Sequence, residues 1–392
     1  MESESATPAG GNWNSLSSDL TEHILSLLPI PSIVVASAVC KPWRSLLTHP
    51  SFSARVSPAK KPWLFLCGHN TIFPKNNQAF AFDPDSHAWI RLPPAALHHD
   101  SSASSIGGAA GFLFTTSSNF TYTPLLSSLS SCRQTPPLRF ARSNPLVGVF
   151  SPAPGAPSKF IVVGGVRFVG GLVDIEDRLA VEIYDPDSDA WDLCPPLPAD
   201  IIQSGNTPQW LSSAIFKDNF FVIGIYSGFV SSFDLSRRMW NRVRTLRPPG
   251  VVFSFLIACR SQLVLAAVCN SGQVPSLDLW SVDERTMELR RKVSTMPREL
   301  LWELFDSDEE EKLASLKCVG VGDLVYVFNE EPHKKYPTCV CEMDGQDSSM
   351  LRCRWRKVPS LPGPVNRFHK VISFCSPVWI GSVVGGGQLH LE

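Results

Sequence analysis

The N-terminal part of the chain has the apolar spacing of helices. Apolar side chains recur at i, i+4, i+7 and i+8, which predicts an amphipathic helix with its apolar stripe on one side. The stripe consists of Leu20, Ile24, Leu27 and Leu28. Ser17 and Ser18 are suitable caps for this helix, and Pro29 ends it. Leu25 and Ile30 lie off the stripe, so apolar surface covers more than one face.

Two more short helices are expected before residue 50. Pro42 suits the first position of the second of these, whose apolar face consists of Trp43, Leu46 and Leu47. A unit of about 40 residues buries too little apolar surface to be stable without a metal, a disulfide or a partner. Cys40 is its only cysteine, so either the rest of the chain or a separate protein covers the second apolar face. Periodicity alone favours the rest of the chain, because most apolar helix faces are core.

From Trp63 onward the pattern changes to apolar runs of strand length separated by turns. An Asp recurs six positions before an aromatic or aliphatic residue, and a Pro follows within a few positions. The pairs are Asp83–Trp89, Asp185–Trp191, Asp234–Trp240 and Asp283–Leu289, and Trp355 closes the series. Equal steps of about 50 residues join Trp191, Trp240 and Leu289, and this period is typical of a four-stranded propeller blade. Asp with Pro or Ser forms the tight turn, and each Trp is expected between neighbouring blades.

Counting these units predicts six blades. They are one that ends near residue 94, a weak one from 107 to about 145, and then 147–198, 210–249, 251–297 and 316–362. Two strand-like segments, 370–374 and 378–380, are expected to join the first blade and close the ring, which removes an exposed sheet edge. The Ser- and Pro-rich stretch 125–137 fits either the second blade or a long loop.

Composition and charge exclude several classes of protein. The formal net charge of −1 gives no overall field that would attract nucleic acid or an anionic membrane. With 18% charged and 44% hydrophobic residues, the balance is that of a globular protein. The first 12 residues lack the features of a signal peptide, and no apolar run reaches bilayer length. We therefore expect a soluble protein of the cytoplasm and/or nucleus, with 11 reduced cysteines and no membrane or nucleic-acid partner.

Two insertions in the repeat array are candidates for a target-binding face, because propellers use the loops at one mouth of the channel. One carries Arg167, Phe168 and Asp174, and it is either a binding element or an ordinary insertion. The other carries Trp302 and Phe305 before an acidic run at 306–312. That run is either an acidic lip for a basic target or, as is usual for like charges, a solvated loop.

Two groups of possible ligands were weighed against metal or acid–base chemistry. Cys339 and Cys341 lie on one side of a predicted strand, with Cys353 nearby, but no fourth ligand has a zinc-like spacing. Burial in a strand core is the better explanation for these thiols. His98-His99-Asp100 has no second cluster, and neither a Ser-His-Asp order nor a phosphate loop is present. No catalytic residue, metal or cofactor is predicted.

The order of residues in the helical segment resembles the F-box. The matching positions are Leu20, Ile24-Leu25, Leu28-Pro29, Val39-Cys40-Lys41, Trp43-Arg44 and Pro50-x-Phe52. The chain has Leu16-Ser17 where family members commonly have Leu-Pro. The resemblance implies that this segment docks a Skp-family adaptor. The residues that would form or support the contact are Leu16, Leu20, Ile24, Leu25, Leu28, Pro29, Val39, Cys40, Trp43 and Leu47, with Lys41 and Arg44 at its polar rim.

One repeat resembles the kelch signature, with a double glycine, a tyrosine and a tryptophan in order. These are Gly164-Gly165, Tyr184 and Trp191; elsewhere the double glycine is lost. The prediction is therefore a small all-α F-box of three helices followed by an all-β kelch-like propeller of six blades. Its expected parts are a disordered N-terminus at 1–12, the F-box at 13–56, the propeller at 62–382 and a flexible tail at 383–392.

This resemblance to plant-type F-box/kelch proteins implies the substrate-recognition subunit of an SCF (Skp-cullin-F-box) E3 ubiquitin ligase. The F-box would hold the Skp-family adaptor, and through it a cullin-RING ligase, while the propeller would bind an unidentified target protein. The contribution of such a subunit is proximity and not covalent chemistry. Two alternatives stay open. One is an F-box scaffold that does not promote degradation, and the other is a propeller enzyme.

Overall fold

The computed structural model describes residues 16–386 with internal gaps. The gaps are 71–75, 94–104, 117–118, 128, 154, 166–167, 170–171, 174–178, 204–209, 261, 271–273, 306–312, 332–335, 345–351, 364 and 366–369. Only the backbone is described at 168–169, 172–173, 370 and 386. The predicted disordered segment 1–12, the His98-His99-Asp100 group and the acidic run 306–312 lie outside the described residues.

The chain begins with four helices and not the three that were predicted. They are α1 (Ser18–Leu27), α2 (Ile30–Ser37), α3 (Lys41–Leu47) and α4 (Pro50–Val56), followed by a 3₁₀ turn at Ser57–Ala59. The side chain of Ser17 caps α1 by accepting a 3.3 Å hydrogen bond from the Leu20 amide. Pro50 was expected only to end the third helix, but it also starts the fourth, because proline suits the first helical position.

Six antiparallel sheets follow, and each forms one blade. Blade 1 contains β1 (Trp63–His69), β2 (Gln78–Asp83), β3 (Ala88–Leu92) and β27 (Lys370–Ser376). Blade 2 contains β4 (Ser105–Ala109), β5 (Phe112–Thr116), β6 (Phe120–Pro124) and β7 (Arg133–Gln134). Blade 3 contains β8 (Leu146–Phe150), β9 (Lys159–Val163), β12 (Val181–Asp185) and β13 (Ala190–Cys194), with a separate hairpin of β10 (Phe168–Val169) and β11 (Leu172–Val173).

The last three blades follow the same plan. Blade 4 contains β14 (Leu211–Phe216), β15 (Asn219–Gly224), β16 (Phe229–Asp234), β17 (Met239–Trp240) and β18 (Arg244–Thr245). Blade 5 contains β19 (Val251–Ala258), β20 (Leu263–Asn270), β21 (Pro275–Val282) and β22 (Leu289–Thr295). Blade 6 contains β23 (Leu316–Val321), β24 (Leu324–Asn329), β25 (Thr338–Asp344) and β26 (Arg352–Lys357). Three helices complete the fold, namely α5 (Asp200–Gln203), α6 (Arg298–Trp302) and α7 (Ile380–Gly386).

The six sheets form a closed ring. The inner strands β27, β4, β8, β14, β19 and β23 contact one another in that order, and β23 returns to β27. Strand β27 pairs with β1, so the predicted closure of the first blade by residues 370–374 is confirmed. The weak second blade is also confirmed, because β7 lies inside the stretch 125–137. The segment 378–380 is not a strand, since it leads into α7.

Each tryptophan of the repeat links its blade to the preceding one, as the sequence predicted. The indole N–H of Trp89 donates to the Pro359 carbonyl at 2.7 Å, and that of Trp191 to the Pro136 carbonyl at 2.9 Å. Trp240 and Trp355 donate in the same way to the Pro195 carbonyl at 3.0 Å and to Ser294 Oγ at 2.9 Å. A large apolar ring with one donor therefore fixes the angle between neighbouring blades at four of the six junctions.

The repeated Asp organises the turn that precedes each tryptophan. In blade 5, for example, Asp283 Oδ1 accepts from the amides of Arg285 and Thr286 at 2.9 and 3.0 Å. Four residues after each Asp the backbone enters the left-handed region with a non-glycine residue. These residues are His87, Asp189, Arg238 and Met287, with φ between 50° and 58°. The side-chain hydrogen bonds of the Asp hold the chain in this less favoured conformation.

The four N-terminal helices pack on blades 1 and 2 together with α7. One apolar cluster combines Leu25, Ile33, Leu47 and Phe52 of the helices, Phe65 and Phe374 of blade 1, and Ile380 and Val383 of α7. The amides of Ile380 and Gly381 donate to Ser57 Oγ and Ser53 Oγ at 3.0 and 2.9 Å. Residues 383–386, predicted to belong to a flexible tail, are thus helical, because α7 contacts α2 and α4. Residues 387–392 lie outside the described part of the chain.

The two mouths of the propeller are different. Inner strands run in one direction, as the parallel bridge between Cys259 and Gly322 shows for the ends of β19 and β23. Strand β27 ends at the mouth where α7 and the N-terminal helices lie, which we call the proximal mouth. The inner strands begin at the opposite, distal mouth. A channel of about 610 Å³ between them is lined by inner strands of all six blades.

Candidate interaction surfaces

The helical segment exposes only part of the predicted adaptor surface. Leu25 and Leu47 are 2% and 0% exposed in the shared core, so they support the segment and do not reach a partner. Leu28 and Trp43 are half-buried and pack against the same core. Leu16, Ile24 and Pro29 are also half-buried. The exposed members of the predicted set are Leu20, Val39, Cys40, Lys41 and Arg44.

Two exposed residues of this surface were not assigned to it from the sequence. Leu27 is 69% exposed and Val35 is 56% exposed, beside Leu20 at 46% and Val39 at 62%. Leu20 and Leu27 are two turns apart on one side of α1, because seven residues span nearly two full turns. The sequence did place Leu27 on the apolar stripe, and it is this stripe that faces outward. The residues off the stripe, Leu25 and Ile30, face the core.

Basic residues border this apolar surface. Lys41 and Arg44 are exposed, and neither pairs with a carboxylate in the described part of the chain. Arg55 of α4 forms an ion pair with Glu22 of α1, which ties the ends of the segment together. Lys60 donates to the carbonyls of Ser26 and Leu28 at 2.8 Å each. Burial lowers the pKa of Lys60, which ties the end of α1 to the start of the propeller.

The target-face candidates are described only in part. Arg167 and Asp174 lie outside the described residues, and for Phe168 only the backbone, in β10, is described. Trp302 closes α6 and is half-buried under Arg298, whose guanidinium carbon is 6.0 Å from the ring centre. Phe305 packs against the core between blades 5 and 6. Both residues precede β23, an inner strand, so they lie toward the distal mouth.

The distal mouth has an exposed aromatic group that the sequence did not indicate. Trp210 precedes β14 and is 41% exposed, and Tyr226 follows β15 and is 38% exposed. Their rings meet edge to face with centres 5.6 Å apart, and Tyr226 lies 5.8 Å from Phe253. No spacing rule separates these aromatic residues from the many that are buried, because their exposure depends on how the blades meet.

The cysteines on the predicted strand core are buried. Cys339 and Cys341 are 1% and 0% exposed between blades 5 and 6, and burial raises the pKa of the Cys339 thiol to about 12. A hydrogen bond from Cys341 holds the pKa of the Cys353 thiol below its usual range. Within the described residues, no group of three or more His, Cys, Asp or Glu side chains is arranged to hold a metal ion. None of the described helices has the length and apolar character needed to cross a bilayer.

Comparison with known proteins places both halves of the chain. A family profile for the F-box domain matches residues 13–55. The F-box/kelch-repeat protein At1g23390 of Arabidopsis thaliana is 28% identical over 94% of this chain and 91% of its own length. The rice protein ABERRANT PANICLE ORGANIZATION 1 (japonica) is 26% identical over 91% of this chain and 85% of its own. A solved structure of a Lactobacillus plantarum protein aligns with 80% of this chain and 99% of its own, at 11% identity and a TM-score of 0.38.

Proposed function

We propose that this chain, an F-box protein of the plant F-box/kelch-repeat type, is the substrate-recognition subunit of an SCF E3 ubiquitin ligase. Its F-box docks a Skp-family adaptor and through it a cullin-RING ligase. Its propeller binds a target protein, and the chain itself carries out no covalent chemistry. Such a subunit acts in the cytoplasm or nucleus.

The observation that carries the proposal is the outward apolar stripe of the F-box. The segment has already buried one apolar face against blades 1 and 2 and α7. It nevertheless leaves Leu20, Leu27, Val35 and Val39 between 46% and 69% exposed. Clustered exposed apolar residues mark interaction sites in soluble proteins. Lys41 and Arg44 supply a polar rim of the kind found around such interfaces.

The architecture supports a role in positioning the target. The F-box core is continuous with blade 1, so the helices are packed on the propeller and not merely tethered to it. An adaptor on the outer face of α1 and a target on the propeller would therefore be held in a defined relative position. A fixed separation raises the effective concentration of target lysines near the ubiquitin-carrying enzyme. It does so without any catalytic group in this chain.

Pull-down of a purified Skp-family adaptor by the full chain tests this function. The variant Leu20→Asp/Leu27→Asp places two charges on the exposed stripe, and we expect binding to fall at least 100-fold with the melting temperature unchanged. Leu193→Asp is the matched control, because Leu193 is 51% exposed but lies on the outer strand of blade 3. Adaptor binding retained by the double variant would show that the F-box of this chain does not dock through α1.

A further inference from the structure

The exposed apolar residues of this protein fall into two main groups. One is the F-box stripe, and the other lies at the distal mouth on blades 4 and 5. The second group consists of Trp210, Tyr226, Val252 and Val274, each between 38% and 42% exposed. All four stand next to strand ends at the distal mouth, because β14, β19 and β21 begin there and β15 ends there. We call Trp210, Tyr226, Val252 and Arg247 the distal patch.

The aromatic rings of the distal patch continue inward to the channel. Trp210 meets Tyr226 edge to face, Tyr226 lies against Phe253, and Phe253 meets Phe255 at 5.8 Å. Phe255 lines the 610 Å³ channel. The outer rings are thus held by buried ones, so their positions are set before a partner arrives. Rigid aromatic side chains of this kind are the usual anchors of protein interfaces, because little conformational entropy is lost on binding.

Arg247 gives the patch a fixed positive charge. Its Nη1 donates to the Tyr226 carbonyl at 2.7 Å and its Nη2 to the Val251 carbonyl at 3.2 Å. These bonds hold the guanidinium at the junction of blades 4 and 5, yet the side chain is exposed. Arg242 and Arg244 precede it in the same segment and are exposed too. Within the described residues, none of these three arginines forms an ion pair with a carboxylate.

From this arrangement we infer that the distal patch binds a peptide segment of the target in which a large apolar or aromatic side chain stands beside a carboxylate. The apolar side chain packs on Trp210 and Tyr226, and the carboxylate pairs with Arg247, which offers the donors that carboxylates prefer. This assignment rests on the proposed function, since it names the surface by which the propeller receives its target. A nucleic acid fits less well, because a chain of net charge −1 with three local arginines provides no track for a phosphate backbone.

Panning a display library of random 12-residue peptides against the full chain tests the inference. We expect the enriched peptides to carry Trp, Phe or Leu within about three residues of Asp or Glu, since that is the reach of one patch. The best of them, synthesised with a fluorescent label, should bind at least tenfold more weakly to Trp210→Ala and to Tyr226→Ala. Met239→Ala, which removes a 52% exposed side chain from the outer strand of blade 4, should leave the affinity unchanged.

Reversing the charge separates specific pairing from loss of fold. Arg247→Glu should lose the acidic peptide and gain affinity for the same peptide with Lys in place of its acidic residue, whereas Arg247→Lys should retain partial binding. Unchanged affinity in the two aromatic variants, or enrichment without acidic residues, would overturn the inference. So would sedimentation showing a dimer that Trp210→Ala dissociates, or tighter binding of a labelled single-stranded oligonucleotide at this patch. All patch variants should still bind the adaptor, so failure here is distinguishable from failure of the F-box assignment.

Discussion

The F-box and the propeller reach stability in different ways. The propeller closes on itself, because each blade pairs its own strands and contacts the next through inner strands and indole hydrogen bonds. The F-box consists of helices of only 10, 8, 7 and 7 residues, lengths that are unstable alone. Its core is completed by blade 1 and α7. A docking module can therefore keep an apolar face exposed if a larger neighbour supplies the rest of its core.

The largest effect is expected where the F-box depends on distant chain. Ile380 is 0% exposed beneath α2 and α4. Ile380→Ala should cost about 2–4 kcal/mol of unfolding free energy, because a buried cavity forms at the joint. It should also weaken adaptor binding and make residues 16–60 sensitive to protease, while the blades stay resistant. Thermal unfolding and limited proteolysis with fragment mass analysis measure both effects.

The matched control lies on the same helix. A Cβ added at Gly385 would meet no atom within 4 Å, so Gly385→Ala should change stability by less than about 0.5 kcal/mol. If Ile380→Ala left the protease pattern of the F-box unchanged, the helices would be stable without α7. The contrast between the two regions would then be wrong.

An intermediate effect is expected at a blade junction. Trp191→Phe removes the indole donor and leaves the Pro136 carbonyl and Thr135 Oγ1 without it, which should cost about 1–2 kcal/mol. Trp280→Phe is a suitable comparison, because the Trp280 indole N–H has no hydrogen-bond partner among the described residues. Chemical denaturation should show a clearly larger loss for Trp191→Phe, with adaptor binding equal in both. Equal losses would mean that the indole bond does not hold the blades.

The smallest effect is expected at an exposed turn. The amides of Thr286 and Arg285, together with the Arg290 guanidinium, hold the pKa of the Asp283 carboxyl below its usual range. Because the folded pKa is the lower one, this carboxylate stabilises the fold above its unfolded pKa of about 4, and the gain is lost as pH falls. Asp283→Asn should therefore be slightly less stable than the parent at pH 7 and equal to it near pH 2. A difference that persists at low pH would assign the effect to packing.

The repeat was predictable because its chemistry is local. Asp283 and its turn amides, or Trp191 and Pro136, lie within about one blade of each other, so a period near 50 residues carries the information. The F-box helices were predictable for the same reason. The fourth helix was missed because Pro50 was taken only as a terminator, although Phe52 and Val56 stand four apart behind it and are both buried.

Other features depended on contacts that no spacing encodes. Periodicity gave α1 two apolar faces, but only the packing of blade 1 shows that Leu25 is inside and Leu27 outside. The helix α7 has the sequence Ile-Gly-Ser-Val-Val-Gly-Gly, which has low helix propensity and forms against helices more than 300 residues earlier. The distal patch was missed because the exposure of Trp210 is a property of the junction between blades.

The pairing of β27 with β1 has a consequence for synthesis on the ribosome. Strand β1 and the F-box emerge first, while β27 and α7 follow about 300 residues later, which takes roughly 15 to 60 s at ordinary elongation rates. Until then, the edge of β1 and the inner faces of Ile33 and Phe52 have no native cover. The nascent chain therefore spends most of its translation with an open sheet edge beside an incomplete helical core. Chaperone association during translation is expected to concentrate on these first 70 residues.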